Sequence, residues 1–197
     1  MKRKIIIVDC NAQIGGIQKA LIALLKKIHQ EYDITLLLLH KNGVLLSEIP
    51  ENIRVITTNS DFKYMGMAQS DCKTNKQRIR RGLYVFISRY LGRKWAVRLA
   101  LASIDRSHQE AYDVAIAYSH IAGENSFYGG APEYVLQAVQ ARKKYAIFIV
   151  ITLTPVIVVT TVIGFIRSMI RLFVFQNQPK GILSQHCRNL KIEPMLY

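Results

Sequence analysis

Two adjacent glycines, Gly15 and Gly16, stand between a β-branched run that ends at Asp9 and a stretch of helical periodicity that begins at Ile17. Glycines at such a corner let the backbone approach an anion, and the start of a helix offers unpaired N–H groups with a partial positive charge. The chemistry that fits is contact with a pyrophosphate or a sugar phosphate. A tight strand-to-helix turn with no ligand fits the same two residues equally well. Their spacing is neither G-x-G-x-x-G nor G-x-x-x-x-G-K-[ST], so neither of those phosphate-binding fingerprints is present.

A second group lies further along. His120 and Glu124 come after the end of a predicted strand, where open α/β folds place ligands, and a histidine there could serve as acid, base or hydrogen-bond donor. The competing reading is a loop histidine with a structural role or none. His29, His40 and His108 have no partner at a recognisable spacing. No Ser-His-Asp order or metal-ligand cluster is visible, and no metal or cofactor is expected. A third group is cationic. Arg78, Arg80, Arg81, Arg89, Arg93 and Lys94, with Arg98, alternate with Leu83, Tyr84, Phe86, Ile87, Tyr90, Leu91, Trp95 and Leu99. A basic amphipathic segment of this kind suits an anionic membrane surface, and a packed helix pair with a solvated cationic face is the alternative. No DNA- or RNA-binding module pattern is seen, so nucleic acid is not expected as a partner.

Hydropathy sets out the strands and helices that carry these residues. Ile5–Val8 reads as a buried parallel strand. Ile17–His29 reads as an amphipathic helix, with Ile17, Leu21, Leu24, Leu25 and Ile28 on one face. Tyr32–Leu39 and Arg54–Thr57 read as strands, separated by turns at Asn42-Gly43 and Pro50-Glu51-Asn52. Residues 60–76 look polar and loop-like. Residues 76–104 form two helices broken near Gly92, Tyr112–Tyr118 is a strand, and Gly123–Gly130 is a loop. A helix over Glu133–Arg142 comes next, with Pro132 in its first turn, and a strand opens at Tyr145. Alternation of this kind predicts an α/β fold with a Rossmann-like parallel sheet and flanking helices.

Composition narrows the classes. The chain has 197 residues, long enough for one good domain, and half of them are hydrophobic, which excludes global disorder. Its 27 Lys+Arg against 13 Asp+Glu give a net charge of +14 and point to an anionic partner. Three scattered cysteines, Cys10, Cys72 and Cys187, argue against a disulfide scaffold or a zinc site and fit a reducing cytoplasm. Only four apolar residues follow Met1-Lys2-Arg3-Lys4, too few for a secretion signal.

The run GGIQKALIALLKKIHQEYDITLLLLHKNGVLLSEIPENIRVI, with YDVAIAY at Tyr112–Tyr118 and ARKKYAIF at Ala141–Phe148, resembles the opening half of family-4, GT-B-type bacterial glycosyltransferases. The resemblance covers roughly residues 4–148 and is specific as an ordered set. It implies a two-domain enzyme of cell-surface polysaccharide synthesis, whose first half binds a glycan or lipid-linked acceptor and whose second half binds a nucleotide-sugar. By that resemblance Gly15 and Gly16 face the donor phosphates, and His120 and Glu124 lie in the acceptor-side loop, where the local sequence departs from the family pattern. The location implied is cytoplasmic, with peripheral attachment to the inner membrane.

After Phe148 the resemblance stops. Tyr145–Ile166 is 22 residues without a charge, long enough to read as a transmembrane helix, although Val, Ile and Thr dominate it and Pro155 lies mid-span. Taken at face value it would make the chain a single-pass membrane protein with a basic cytosolic α/β binding domain. A single base lost after the Phe148 codon accounts for the run differently. Methionine has one codon, so the junction of Met169 and Ile170 back-reads to an aspartate codon, and free choice of other wobble bases restores a string containing YDKIVCVSES. That string resembles the family's entry into its second domain. The expectation is therefore an acceptor-side domain over 1–148, a non-native, out-of-frame apolar and then basic tail over 149–197, and an inactive fragment of a glycosyltransferase.

Overall fold

A computed structural model of the chain describes residues 2–105, 110–119, 127, 129–151, 155–162 and 171–175, with side chains described as far as Ile147. Five parallel strands form the sheet: β1 (Lys4–Asp9), β2 (Asp33–Leu38), β3 (Arg54–Thr57), β4 (Ala111–Ser119) and β5 (Gln140–Ile151). Two antiparallel strands, β6 (Pro155–Val162) and β7 (Arg171–Phe175), continue it in the order β3-β2-β1-β4-β5-β6-β7. The helices are α1 (Gly16–Ile28), α2 (Lys63–Gly66), α3 (Asn75–Tyr90), α4 (Arg93–Ala102) and α5 (Ala131–Ala138). The expected α/β, Rossmann-like arrangement is present.

Strand periodicity distributes the core. Successive side chains of β1 point to opposite faces, and both faces are covered, so Ile5 to Val8 are all buried. Ile5 and Ile7 pack with Ile34, Leu36 and α1 residues Leu21 and Leu25. Ile6 and Val8 pack on the other side with Phe62, Met65, Ile87, Val97 and Val135, which come from the α2 region and from α3, α4 and α5. Ala115 and Ala117 of β4 face the same way, and their small side chains fit a closely seated α5.

Three expectations need correction. Residues 60–76, read as polar loop, hold α2 and a 3₁₀ turn at Gln69–Asp71, with Phe62, Tyr64, Met65, Met67 and Cys72 buried. These apolar residues are too irregularly spaced to announce themselves, and it is the even face of β1 that gathers them. The helix expected to reach Arg142 stops at Ala138, because Val139 is extended and Gln140 already pairs with Ala111. Lys144 then reaches back, its Nζ donating to the Leu136 carbonyl at 2.8 Å. The apolar run is not a helix where it is described. Residues 145–151 complete β5 and 155–162 form β6, consistent with β-branched composition and with a proline tolerated at the first position of a strand. Among the described residues no helix is long and apolar enough to cross a membrane.

The start of α3 is fixed by a reciprocal cap. The Gln77 N–H donates to Thr74 Oγ1 at 3.2 Å, and the Thr74 N–H donates to the Gln77 side-chain oxygen at 3.3 Å. Thr74→Ala is expected to lower stability by about 1 kcal/mol, read as a shift in urea midpoint with unchanged slope. An unchanged midpoint would show that packing alone sets this terminus.

Candidate functional site

β1 has β2 on one side and β4 on the other, so the chain winds outward in both directions from the β1–β4 junction. Ligands of open α/β sheets bind beyond the carboxyl ends of the strands at such a switch point. The segment Cys10–Gly15 leaves the end of β1 there. Gly16 is exposed and Gly15 half-buried, so the corner opens to solvent instead of being packed under neighbouring elements. Gly15 is the N-cap of α1 in an extended conformation, with no side-chain cap and no acidic residue in the first turn. Among the described residues the first N–H groups of this 13-residue helix have no side-chain cap, which leaves them open to an outside acceptor.

Neighbouring loops hold the corner in place. The Ala12 N–H donates to the Asn42 carbonyl at 2.9 Å, and the Leu45 N–H donates to the Ala12 carbonyl at 3.1 Å. Asn11 Oδ1 accepts from the Gln13 N–H at 3.2 Å while its Nδ2 donates to the Gly66 carbonyl at 3.1 Å. Gly66 is required by proximity, since a Cβ there would lie 2.5 Å from the Cys10 carbonyl oxygen. Asp71 Oδ2 gathers three more contacts, from Gln13 Nε2 at 3.4 Å, the Ala68 N–H at 3.3 Å and His40 Nε2 at 3.6 Å. Burial lowers the His40 pKa, Asp71 opposes the shift, and Lys63 and Lys73 add to it.

Beneath the corner lies Asp9, 1% exposed at the end of β1. Its Oδ1 accepts from the Cys10 N–H at 2.7 Å, and among the described residues the buried Oδ2 has no partner at full hydrogen-bond distance. Burial pushes its pKa up to about 7, against the Cys10 N–H and, more weakly, the Gln18 amide. A carboxyl raised this far changes charge near neutrality, six residues before the N-cap of α1.

The other sequence candidates divide. His120 and Glu124 lie outside the described residues. Of the six cations assigned to one basic patch, two point inward. Arg93 donates through Nε and Nη2 to Glu133 Oε1, at 3.1 and 2.9 Å, and fastens α4 to α5. Arg81 Nε donates to the Met67 carbonyl at 3.0 Å, and its guanidinium lies over the Phe127 ring. Both cations are consumed by neighbours because their helical positions face the core. Arg80 is exposed but pairs with Asp61 at 3.6 Å, whereas Arg78, Arg89 and Lys94 are exposed with no carboxylate partner among the described residues.

Asp9, Asn11, His40 and Asp71 were not visible as a group, since only the fold brings them together. The one sequence signal was the position of Asp9 at the end of an apolar strand. Away from the corner, a cavity of about 470 Å³ is lined by Arg54, Thr58, Ser60, Ser103, Tyr112 and Tyr134. Its cation is already engaged, because Arg54 grips both Glu110 carboxylate oxygens and holds that carboxyl down to about 2. Among the described residues no group of His, Cys, Asp or Glu could hold a metal ion.

No family model, curated protein or solved structure matches the chain. The geometry of the corner is thus the basis for any functional reading.

Proposed function

We propose that the chain is the acceptor-side half of a GT-B-type glycosyltransferase whose Gly15–Gly16 corner faces the phosphates of a nucleotide-sugar. The observation that carries this reading is the open, uncapped start of α1 at the β1–β4 switch point. In the reaction an acceptor hydroxyl oxygen bonds to the anomeric carbon of the sugar, the bond from that carbon to the diphosphate breaks, and the hydroxyl proton passes to the departing diphosphate or to solvent. The departing diphosphate gains negative charge, which oriented N–H groups at a helix start stabilise more strongly than they stabilise the bound donor. On this reading His120 and Glu124 belong to the acceptor side, and the acceptor is a glycan or lipid-linked glycan of cell-surface polysaccharide assembly.

The same reading makes residues 149–197 the product of a shifted frame, and residues 1–197 alone are expected to turn over no substrate, because in a GT-B enzyme donor binding belongs to the second half. Inserting one base after the Phe148 codon is expected to open a long reading frame. Its product is expected to transfer a labelled sugar from a nucleotide-sugar to lipid extracts, and Gly16→Asp, which sets a carboxylate where phosphate would lie, to lower that rate by about 100-fold. A stop codon immediately after the insertion overturns the frame. Sugar transfer by residues 1–197 alone overturns the half-enzyme reading, and an unchanged rate in Gly16→Asp overturns the corner's role.

A further inference from the structure

Seven of the ten large apolar side chains most exposed among the described residues lie on α3, α4 or the turn joining them: Ile79, Leu83, Phe86, Tyr90, Leu91, Trp95 and Leu99. Ile79 is 73% and Tyr90 68% exposed, so these are not rim atoms of a packed core. At 3.6 residues per turn, Ile79, Leu83, Phe86 and Tyr90 fall within about 60° of arc, a single row along α3. The adjoining face of that helix supplies its buried residues, Tyr84, Ile87 and Ser88. The α3 helix is thus apolar on two faces, and only one of them is used inside the fold.

Cations flank the unused row. Residues 75–102 contain eight Lys or Arg and no Asp or Glu. With Arg81 and Arg93 turned inward, Lys76, Arg78, Arg80, Arg89, Lys94 and Arg98 remain on the exposed surface. By helical position Lys76 and Arg80 lie on one side of the row, and Arg78 and Arg89 on the other. The Phe86 and Tyr90 rings meet at 4.5 Å, and the Arg98 guanidinium lies over the Trp95 ring at 5.3 Å. A bilayer surface matches this arrangement, with acyl-chain boundary for the aliphatic row, interfacial depth for Tyr and Trp, and anionic headgroups for the flanking cations. Nucleic acid has no counterpart for Ile79, Leu83 and Leu99.

We propose that the α3–α4 ridge is a docking surface for anionic lipid bilayers, the aromatic and aliphatic row entering the headgroup boundary and the flanking cations binding lipid phosphates. This goes beyond the sugar-transfer reading and stands without it, because it rests on a different surface and a different observation.

Trp95 is the chain's one tryptophan and sits on the ridge, so its fluorescence reports docking directly. Adding phosphatidylglycerol-containing vesicles to the full chain is expected to shift Trp95 emission to the blue, and pure phosphatidylcholine vesicles to shift it far less. The double variant Leu83→Glu/Phe86→Glu changes only exposed positions and is expected to bind about tenfold more weakly, with its circular dichroism unchanged. Arg89→Glu/Lys94→Glu is expected to weaken binding to anionic vesicles alone. The apolar segment after residue 148 is common to all variants, so its contribution cancels in the comparison. Equal vesicle binding by the Leu83/Phe86 variant overturns the proposal. So does a Trp95 shift produced by single-stranded RNA, or by concentration-dependent self-association, in the absence of any response to vesicles.

Discussion

Asp9→Asn is expected to remove a pH dependence of stability worth about 4 kcal/mol between about pH 4 and pH 8. The folded-state pKa of about 7 lies above the ordinary value of 3.8 because the carboxyl is wholly buried. The folded chain therefore binds the proton more tightly than the unfolded chain. Stability from this group is full below about pH 4, falls as pH rises through 7, and levels off above it. Asparagine keeps an oxygen to accept from the Cys10 N–H and never ionises. Urea midpoints of the two proteins should converge at low pH and separate above neutrality, with the asparagine variant the more stable. Parallel pH profiles would mean that Asp9 is solvated or paired in solution.

Gly43→Ala is expected to cost about 3 kcal/mol or more. Gly43 has φ +133°, which an alanine rarely adopts, and its added Cβ would fall 2.0 Å from the Ala12 carbonyl oxygen. The atoms it would meet, in Ala12 and Gln13, are all backbone, so no side chain can swing away to relieve the clash. The contact also holds the loop that presents Gly15 and Gly16, since the Asn42 carbonyl accepts from Ala12. The variant should show a lower urea midpoint and, if the proposed sugar-transfer reading holds, a loss of transfer in the restored-frame product measured under conditions where it is still folded. A midpoint within experimental scatter of the parent would mean that this loop relaxes freely and does not brace the corner.

Local pattern was enough for the elements that obey a single period. Ile5–Val8, the 3.6-residue rhythm of Ile17–Ile28 and the short Arg54–Thr57 run carry their structure in their spacing, and the fold follows that spacing closely. Where tertiary packing chooses among equivalent local options, sequence reading fails. Phe62 to Cys72 has no period, and its burial is decided by β1 and β2. Arg81 and Arg93 look the same in sequence as Arg78 and Arg89, yet the first two are spent on Met67, Phe127 and Glu133. The helix over 133–142 was overextended because a run of Ala, Gln, Arg and Lys favours helix, whereas pairing with β4 turns Gln140 onward into strand. For the candidate site, the place of the glycine pair at a strand-to-helix corner was legible from its spacing. The Asp9 carboxyl beneath it was not, because its unusual proton affinity is created by burial alone.

The central strand imposes an order of events on synthesis. β1 is made well before β4, one of its two neighbours, and the Lys4 N–H finds its acceptor at Asp113, 109 residues further on. At ordinary translation speeds of about 5–20 residues per second, that partner arrives roughly 5–20 s later. Throughout this interval the nascent chain carries a half-paired hydrophobic edge at Ile5–Val8, the feature that draws chaperones or seeds inclusion bodies. Added chaperone should therefore raise the yield of folded product more than slowing elongation would.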